Sequence, residues 1–395
     1  MSSDEHHRAL LPYDRALDEL GLGDRVSVLS VPSGYPSPRL VNPVLLRDQG
    51  RALLFEAPAA RPDIVGELSA ALARRDVVRL DGVAVTHCHG DHAGMAGVIA
   101  GLGRPLGERS PVHVHSAGYR FLTQPAASYF DETFLIFQSR AQFGLLDLSS
   151  MRAVDMLEHP RRAPYAHYFE RTPKRALRFV DEGRLPAGFV ALATPGHSND
   201  CVLYLDTRRG VAIPGDTIIC VGRPEDPSSQ DFVVPIFTTM GQGYSRGFES
   251  YLASVRRIRR LFETHDVRVV LPPHGRFAVI EPMAWVRFAE RYFDGLYRIL
   301  REEFLLAGGA PRREPFTAAE LNPLVPHAHS HTVSTPSHVF GMLCALADEG
   351  YLTLTEDVTS RRITFVLDEV PPRDYLAARL AEDPGPLELF GARAG

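Results

Sequence analysis

Hydrophobic and polar positions along this chain of 395 residues follow two rhythms. Short runs rich in Val, Leu and Ile, each closed by glycine, proline or a polar turn, predict strands. These runs lie at residues 44–46 and 51–55, 83–86 (after the turn signal Asp81-Gly82), 112–115, 189–193, 202–205, 211–213 and 267–271. Stretches with apolar residues three and four apart predict helices. One covers 93–100, with Met95, Val98, Ile99 and Leu102 on one face and Gly101 and Gly103 as stop signals. Others cover 248–264 and 285–306. Strands interleaved with helices describe an α/β fold.

The polar residues that interrupt this pattern are concentrated where predicted strands end. The densest group is Thr86-His87-Cys88-His89-Gly90-Asp91-His92. Residues two apart in an extended chain point the same way, so the imidazoles of His87 and His89 can reach one point while Cys88 faces the core. Gly90 lets the backbone turn. Asp91 and His92 then open a helix, whose N-terminus favours the carboxylate. Three more residues of this chemistry sit just beyond later strands: His197 in Thr194-Pro195-Gly196-His197, Asp216 in Pro214-Gly215-Asp216, and His274 in Pro272-Pro273-His274-Gly275. Open α/β sheets carry functional groups at such edges. Five imidazoles and two carboxylates suit zinc, and also iron or manganese. They divide into two centres with one carboxylate shared.

This ordered set, His-x-His-x-Asp-His followed by separate His, Asp and His, resembles the signature of the metallo-β-lactamase superfamily over roughly residues 26–280. The resemblance implies an αββα sandwich and two divalent metal ions, zinc first, with iron or manganese as alternatives. By position it puts His87, His89 and His197 on one ion, and Asp91, His92 and His274 on the second, with Asp216 bridging. Family members use a bridging hydroxide as nucleophile, and the equivalent of Asp91, the candidate catalytic residue, helps to orient it. One departure stands out. Where the superfamily usually has an Asp-x-Gly turn beneath the metals, this chain reads Glu56-Ala57-Pro58. Glu56 would have to supply that carboxylate on a longer arm, which changes what orients the ligands and not the ligands themselves.

Around this centre the chain divides into an N-terminal extension (1–25), a metallo-β-lactamase-like domain (26–306) and a C-terminal part (307–395). The extension has no apolar core of a signal peptide, and no apolar run is long enough to span a membrane, so a cytoplasmic protein is expected. An insertion over about 121–185 is rich in aromatics, among them Phe121, Tyr129, Phe130, Tyr165 and Tyr168. Its two readings are a small core of its own and a lid over an apolar substrate pocket, the lid being favoured. In the C-terminal part, Gly308-Gly309 signals a linker and Thr317-x-x-Glu320 a capping box. A helix over 337–349 and a hairpin of 351–354 with 362–367 follow, in an order that resembles a winged-helix module. The acidic end of that helix, Asp348-Glu349, favours packing, homodimerisation or a pocket wall over DNA binding. His113 and His115 are expected on a strand face, and His327, His329 and His331 in a polar loop.

Composition narrows the function. Net charge is −5 and Lys174 is the sole lysine among 43 basic residues, so a nucleic-acid partner is disfavoured. Anionic substrate groups would fall to arginine. Four cysteines without a Cys-x-x-Cys pair give no disulfide framework. The expected activity is hydrolysis of an ester, thioester or lactone of a small acyl or aryl molecule, of the thioesterase, lactonase or glyoxalase II kind. The alternatives are a non-haem iron oxygenase or sulfur-dioxygenase-type enzyme on the same fold, and a metal-dependent nuclease. Nothing outside the ligand set identifies substrate-binding residues.

Overall fold

The strands assemble into two sheets because their alternation sends successive side chains to two different apolar layers. In the strand Arg51–Phe55, Ala52 and Leu54 enter one core while Leu53 and Phe55 face another. In Val202–Asp206, Val202 and Tyr204 join the core that Phe55 faces, and Leu203 and Leu205 point the opposite way. The middle core thus receives residues from both sheets, and each sheet has a helical layer on its outer face. The result is the expected αββα sandwich. This computed structural model describes residues 9–34, 39–124, 170–221, 231–237, 246–321, 323–325, 334–357 and 362–391.

The first sheet has six strands. Val26–Val28, Val44–Asp48 and Arg51–Phe55 run antiparallel, and Gly82–Ala84, Val112–Val114 and Leu177–Phe179 extend it in parallel. The second has seven. Phe189–Ala193, Val202–Asp206 and Val211–Ile213 form an antiparallel run, which Val269–Val270 joins in parallel. Helix Pro62–Ala73 covers the first sheet, and helices Arg246–Thr264 and Pro282–Arg298 cover the second.

Two expectations are corrected. The helix expected over 93–100 forms instead as two short pieces, Gly90–Ala93 and Ala96–Ile99. The neighbouring segment takes over the backbone bonding at the break: Ala57 N–H donates to His92 O at 2.6 Å, and Met95 N–H donates to Pro58 O at 2.8 Å. Met95 and Ile99 are buried as expected, but Val98 is 39% exposed, so the apolar face is narrower than its spacing suggested. The C-terminal helix spans Ser334–Asp348 and so starts before the expected Ser337. Thr335-Pro336 falls in its first turn, where a missing N–H is harmless.

Of the remaining C-terminal elements, the capping box forms only in half, since Glu320 accepts from Thr317 N–H but its own N–H donates to Thr317 O and not to the hydroxyl. The hairpin's first strand runs over 352–357 instead of 351–354. Thr317 N–H and Oγ1 both donate to Glu320 Oε1, at 3.0 and 3.3 Å. Strands Leu352–Asp357 and Arg362–Leu367 pair as a hairpin. Val339, Phe340, Leu343, Leu352 and Phe365 share one continuous core with Phe248, Leu252 and Phe293 of the helical layer. His113 is buried on its strand with Nδ1 on Arg184 O at 2.7 Å, and His115 Nδ1 accepts from Ala117 N–H. Residues 125–169 of the insertion and the cluster His327, His329 and His331 lie outside the described residues. Among the described residues no helix is long and apolar enough to cross a membrane.

Candidate metal centre

Strand Gly82–Ala84 runs out into residues 86–89, where the chain bends, yet the expected division of side chains holds. His87 and His89 lie on one side with ring centroids 4.5 Å apart. Cys88 turns to the other, buried, with its thiol directed at Gly118 O at 3.6 Å. The chain then enters the short helix Gly90–Ala93, which carries Asp91 and His92 in its first turn.

The structure brings all seven predicted residues together, in two groups. His87, His89, His197 and Asp216 form one, and Asp91, His92 and His274 the other, each with its candidate ligand atoms within 4.8 Å of one another. Asp216 touches both. Its Oδ1 lies 3.2 Å from His274 Nε2 and 3.3 Å from His92 Nε2, and its Oδ2 lies 3.5 Å from His197 Nε2. Asp91 spans His92 and His274, with one oxygen 3.6 Å from each Nε2.

The histidine rings are fixed from behind. His197 Nδ1 donates to Ile236 O and His274 Nδ1 to Leu40 O, each at 2.7 Å. Carbonyls only accept, so these Nδ1 atoms carry protons and each Nε2 is the atom turned into the site. His87 Nδ1 donates to Thr86 Oγ1 at 3.1 Å, and that hydroxyl donates to Glu56 Oε1 at 2.6 Å. The same Glu56 oxygen is 3.4 Å from His92 Nδ1. Glu56 therefore supplies the carboxylate beneath the site for two histidines, one directly and one through Thr86. Its backbone accommodates the longer arm by adopting φ 69°, a left-handed conformation uncommon for a residue with a Cβ.

The protonation pattern fits a cation cradle. Burial, with His92, His89 and His197 nearby, holds His87 well below its ordinary pKa. Burial and His89 bring His197 down to about 3 against the pull of Asp216. Burial also works against charge on His92, but Asp216, Asp91 and Glu56 outweigh it and hold that ring well above its usual value. Burial would raise Asp216, yet His274 and His92 keep its carboxyl well below the normal range. His87 and His197 thus stay neutral, while protons on His92 and His274 stand in for positive charge. His197 Nε2 and His89 Nδ1 face each other at 2.8 Å, and the buried His87 Nε2 has no hydrogen-bond partner. Converging imidazole nitrogens and carboxylates of this kind could hold metal ions.

The loops are clamped by residues with no signal in the sequence. Tyr251 and Ser254, on helix Arg246–Thr264, donate to Thr217 O at 2.8 Å and Pro195 O at 2.7 Å, beside Asp216 and His197. Tyr13 donates to Pro272 O at 2.7 Å, and Asn42 Nδ2 to Gly275 O at 2.9 Å, on either side of His274. These partners are more than 30 residues apart in sequence, beyond any local pattern. Gly215 is required where the loops cross: φ is 56°, and a Cβ would lie 2.3 Å from Thr86 Oγ1.

Comparison with known proteins agrees with this geometry. The family model described as the metallo-β-lactamase superfamily matches residues 36–308. Among solved structures, the chain is similar to a metallo-β-lactamase family protein from Thermus thermophilus, with 20% identity, 87% of this chain and 98% of that one covered, and a TM-score of 0.57. It is likewise similar to a β-lactamase domain protein from Burkholderia ambifaria, with 20% identity, 86% and 92% coverage, and a TM-score of 0.58. No curated protein sequence matches the chain.

Proposed function

This chain belongs to the metallo-β-lactamase superfamily, and we propose that it is a binuclear metal-dependent hydrolase of a small-molecule ester, thioester or lactone. The observation that supports this most is the position of Asp216, with its two oxygens directed at the two histidine groups. In this reading His87, His89 and His197 hold one ion, Asp91, His92 and His274 the other, and Asp216 bridges. Bound divalent ions would supply an activated water and a Lewis acid for the carbonyl, zinc being the first candidate. Asp91 adds a carboxylate beside Asp216, placed to accept a hydrogen bond from that water and hold its orientation. Glu56, Ile236 O and Leu40 O fix the imidazoles so that the donor atoms need not reorganise. An acyl or aryl substrate follows from the aromatic insertion and from a net charge that disfavours nucleic acid.

The test is elemental analysis of protein purified without added metal or a histidine tag, followed by a thioester and lactone screen. About two zinc per chain together with turnover would support the proposal, and His89→Ala should then lose metal and activity together. A His89→Ala variant with unchanged metal content would remove the ligand assignment. Stoichiometric iron with oxygen- or sulfur-dependent turnover would replace hydrolysis by the oxygenase reading.

A further inference from the structure

We infer that Ser337 and His338, on the C-terminal helix, are positioning residues for His197, so that this helix forms part of what sets the metal centre. The inference rests on the metal-centre reading above. His197 Nδ1 is oriented by a backbone carbonyl, that of Ile236. This carbonyl is not part of a sheet: it lies in an irregular strap that follows the short strand Asp231–Val233. The C-terminal helix grips the strap on both sides. His338 Nε2 donates to Pro235 O at 2.7 Å, and Phe237 N–H donates to Ser337 Oγ at 3.2 Å. Three consecutive residues are thereby tied, the outer two to the helix and the middle one to His197.

His338 is itself held in one state. Pro235 O only accepts, so Nε2 carries the proton, and Nδ1 accepts from Tyr292 OH at 2.7 Å. The ring is buried and lies 4.6 Å from the ring of Phe237. The path from Tyr292 through His338, the strap and His197 crosses more than 100 residues of sequence and links the C-terminal helix to one group of ligands. No comparable link from this helix reaches the Asp91, His92 and His274 group among the described residues. A histidine here that served only to fill space would need neither bond.

Three full-length variants test this by chelator competition and by the absorption bands of cobalt-loaded protein, beside wild type and His197→Ala. His338→Leu keeps the bulk and removes the donor. It should weaken one ion of the pair roughly 10- to 100-fold, the range for groups that orient a ligand, and shift the bands of that site alone. His338→Gln places an N–H near Pro235 O and should restore the affinity. Ser337→Ala should move it the same way by less. A His338→Leu protein with lowered thermal stability but wild-type affinity for both ions would overturn the inference and leave a packing role. If that variant does not fold, Ser337→Ala decides, and unchanged affinity and bands there would overturn it equally. Wild-type metal binding that survives His197→Ala would instead overturn the metal-centre reading, and the inference with it.

Discussion

Replacing Glu56 by glutamine isolates the carboxylate beneath the metal centre. The side chain is fully buried, and glutamine keeps its size and its backbone preferences, so the fold should persist. The hydrogen bonds cannot all persist. Glu56 Oε1 accepts from Thr86 Oγ1 and faces His92 Nδ1, and Oε2 accepts from Thr86 N–H at 3.4 Å. An amide placed with its oxygen at the first position sets its NH2 against Thr86 N–H. Turned over, it sets NH2 against both Thr86 Oγ1–H and His92 Nδ1–H. Either way at least one buried donor loses its acceptor, which costs about 1–3 kcal/mol of stability. The metals should respond more selectively. Outer carboxylates of this kind contribute roughly 10- to 100-fold in affinity, or about 1.4–2.7 kcal/mol. Glu56 serves His92 directly and His87 through Thr86, so both ions should weaken. Chelator competition on the loaded protein measures each step. Unchanged affinity for both ions, or loss confined to one, would refute the shared role.

Other outcomes follow from the same geometry. His338 has a pKa of about 4 in the native protein against an ordinary 6.5, because burial disfavours its charge. Its contribution is therefore complete above about pH 6.5 and shrinks as pH falls towards 4, by on the order of 3 kcal/mol. His338→Gln should lose less stability than wild type in urea titrations across that window, and parallel curves would refute this. Gly215→Ala forces a Cβ into Thr86 Oγ1 at a positive φ, and should cost about 1–3 kcal/mol from the backbone alone. It should also weaken metal binding, since Thr86 orients His87. All four cysteines are buried, so a thiol reagent should label them only as the protein unfolds, and rapid reaction at Cys88 would contradict its inward orientation.

That the candidate ligands come together was legible because the set is local in form: each residue follows a strand whose apolar run is visible, and i, i+2 spacing fixes the side on which His87 and His89 lie. The half of the capping box in which Glu320 accepts from Thr317 N–H was legible for the same reason. What escaped was non-local. Ala57 and Pro58 take the backbone bonds of His92 and Met95, so a periodic pattern over 93–100 yields two short helical pieces. Glu56 was singled out, but its φ of 69° and its second role through Thr86 depend on tertiary surroundings. Tyr13, Asn42, Tyr251 and Ser254 fix the loops of the candidate ligands, and Ser337 and His338 hold the strap behind His197, all from distant parts of the chain that no spacing rule joins to them.

The distribution of the ligands also bears on how the protein matures. His92 and His274 meet across 182 positions of sequence, and His89 and His197 across 108. Joining such distant segments costs loop entropy before any contact rewards it. A partly made chain that has emerged only through residue 92 carries one corner of the site and none of the opposing imidazoles. On the metal-centre proposal, capture would follow the docking of the two sheets, as ligation by an already folded apoprotein, and bound metal would then add stability by mass action.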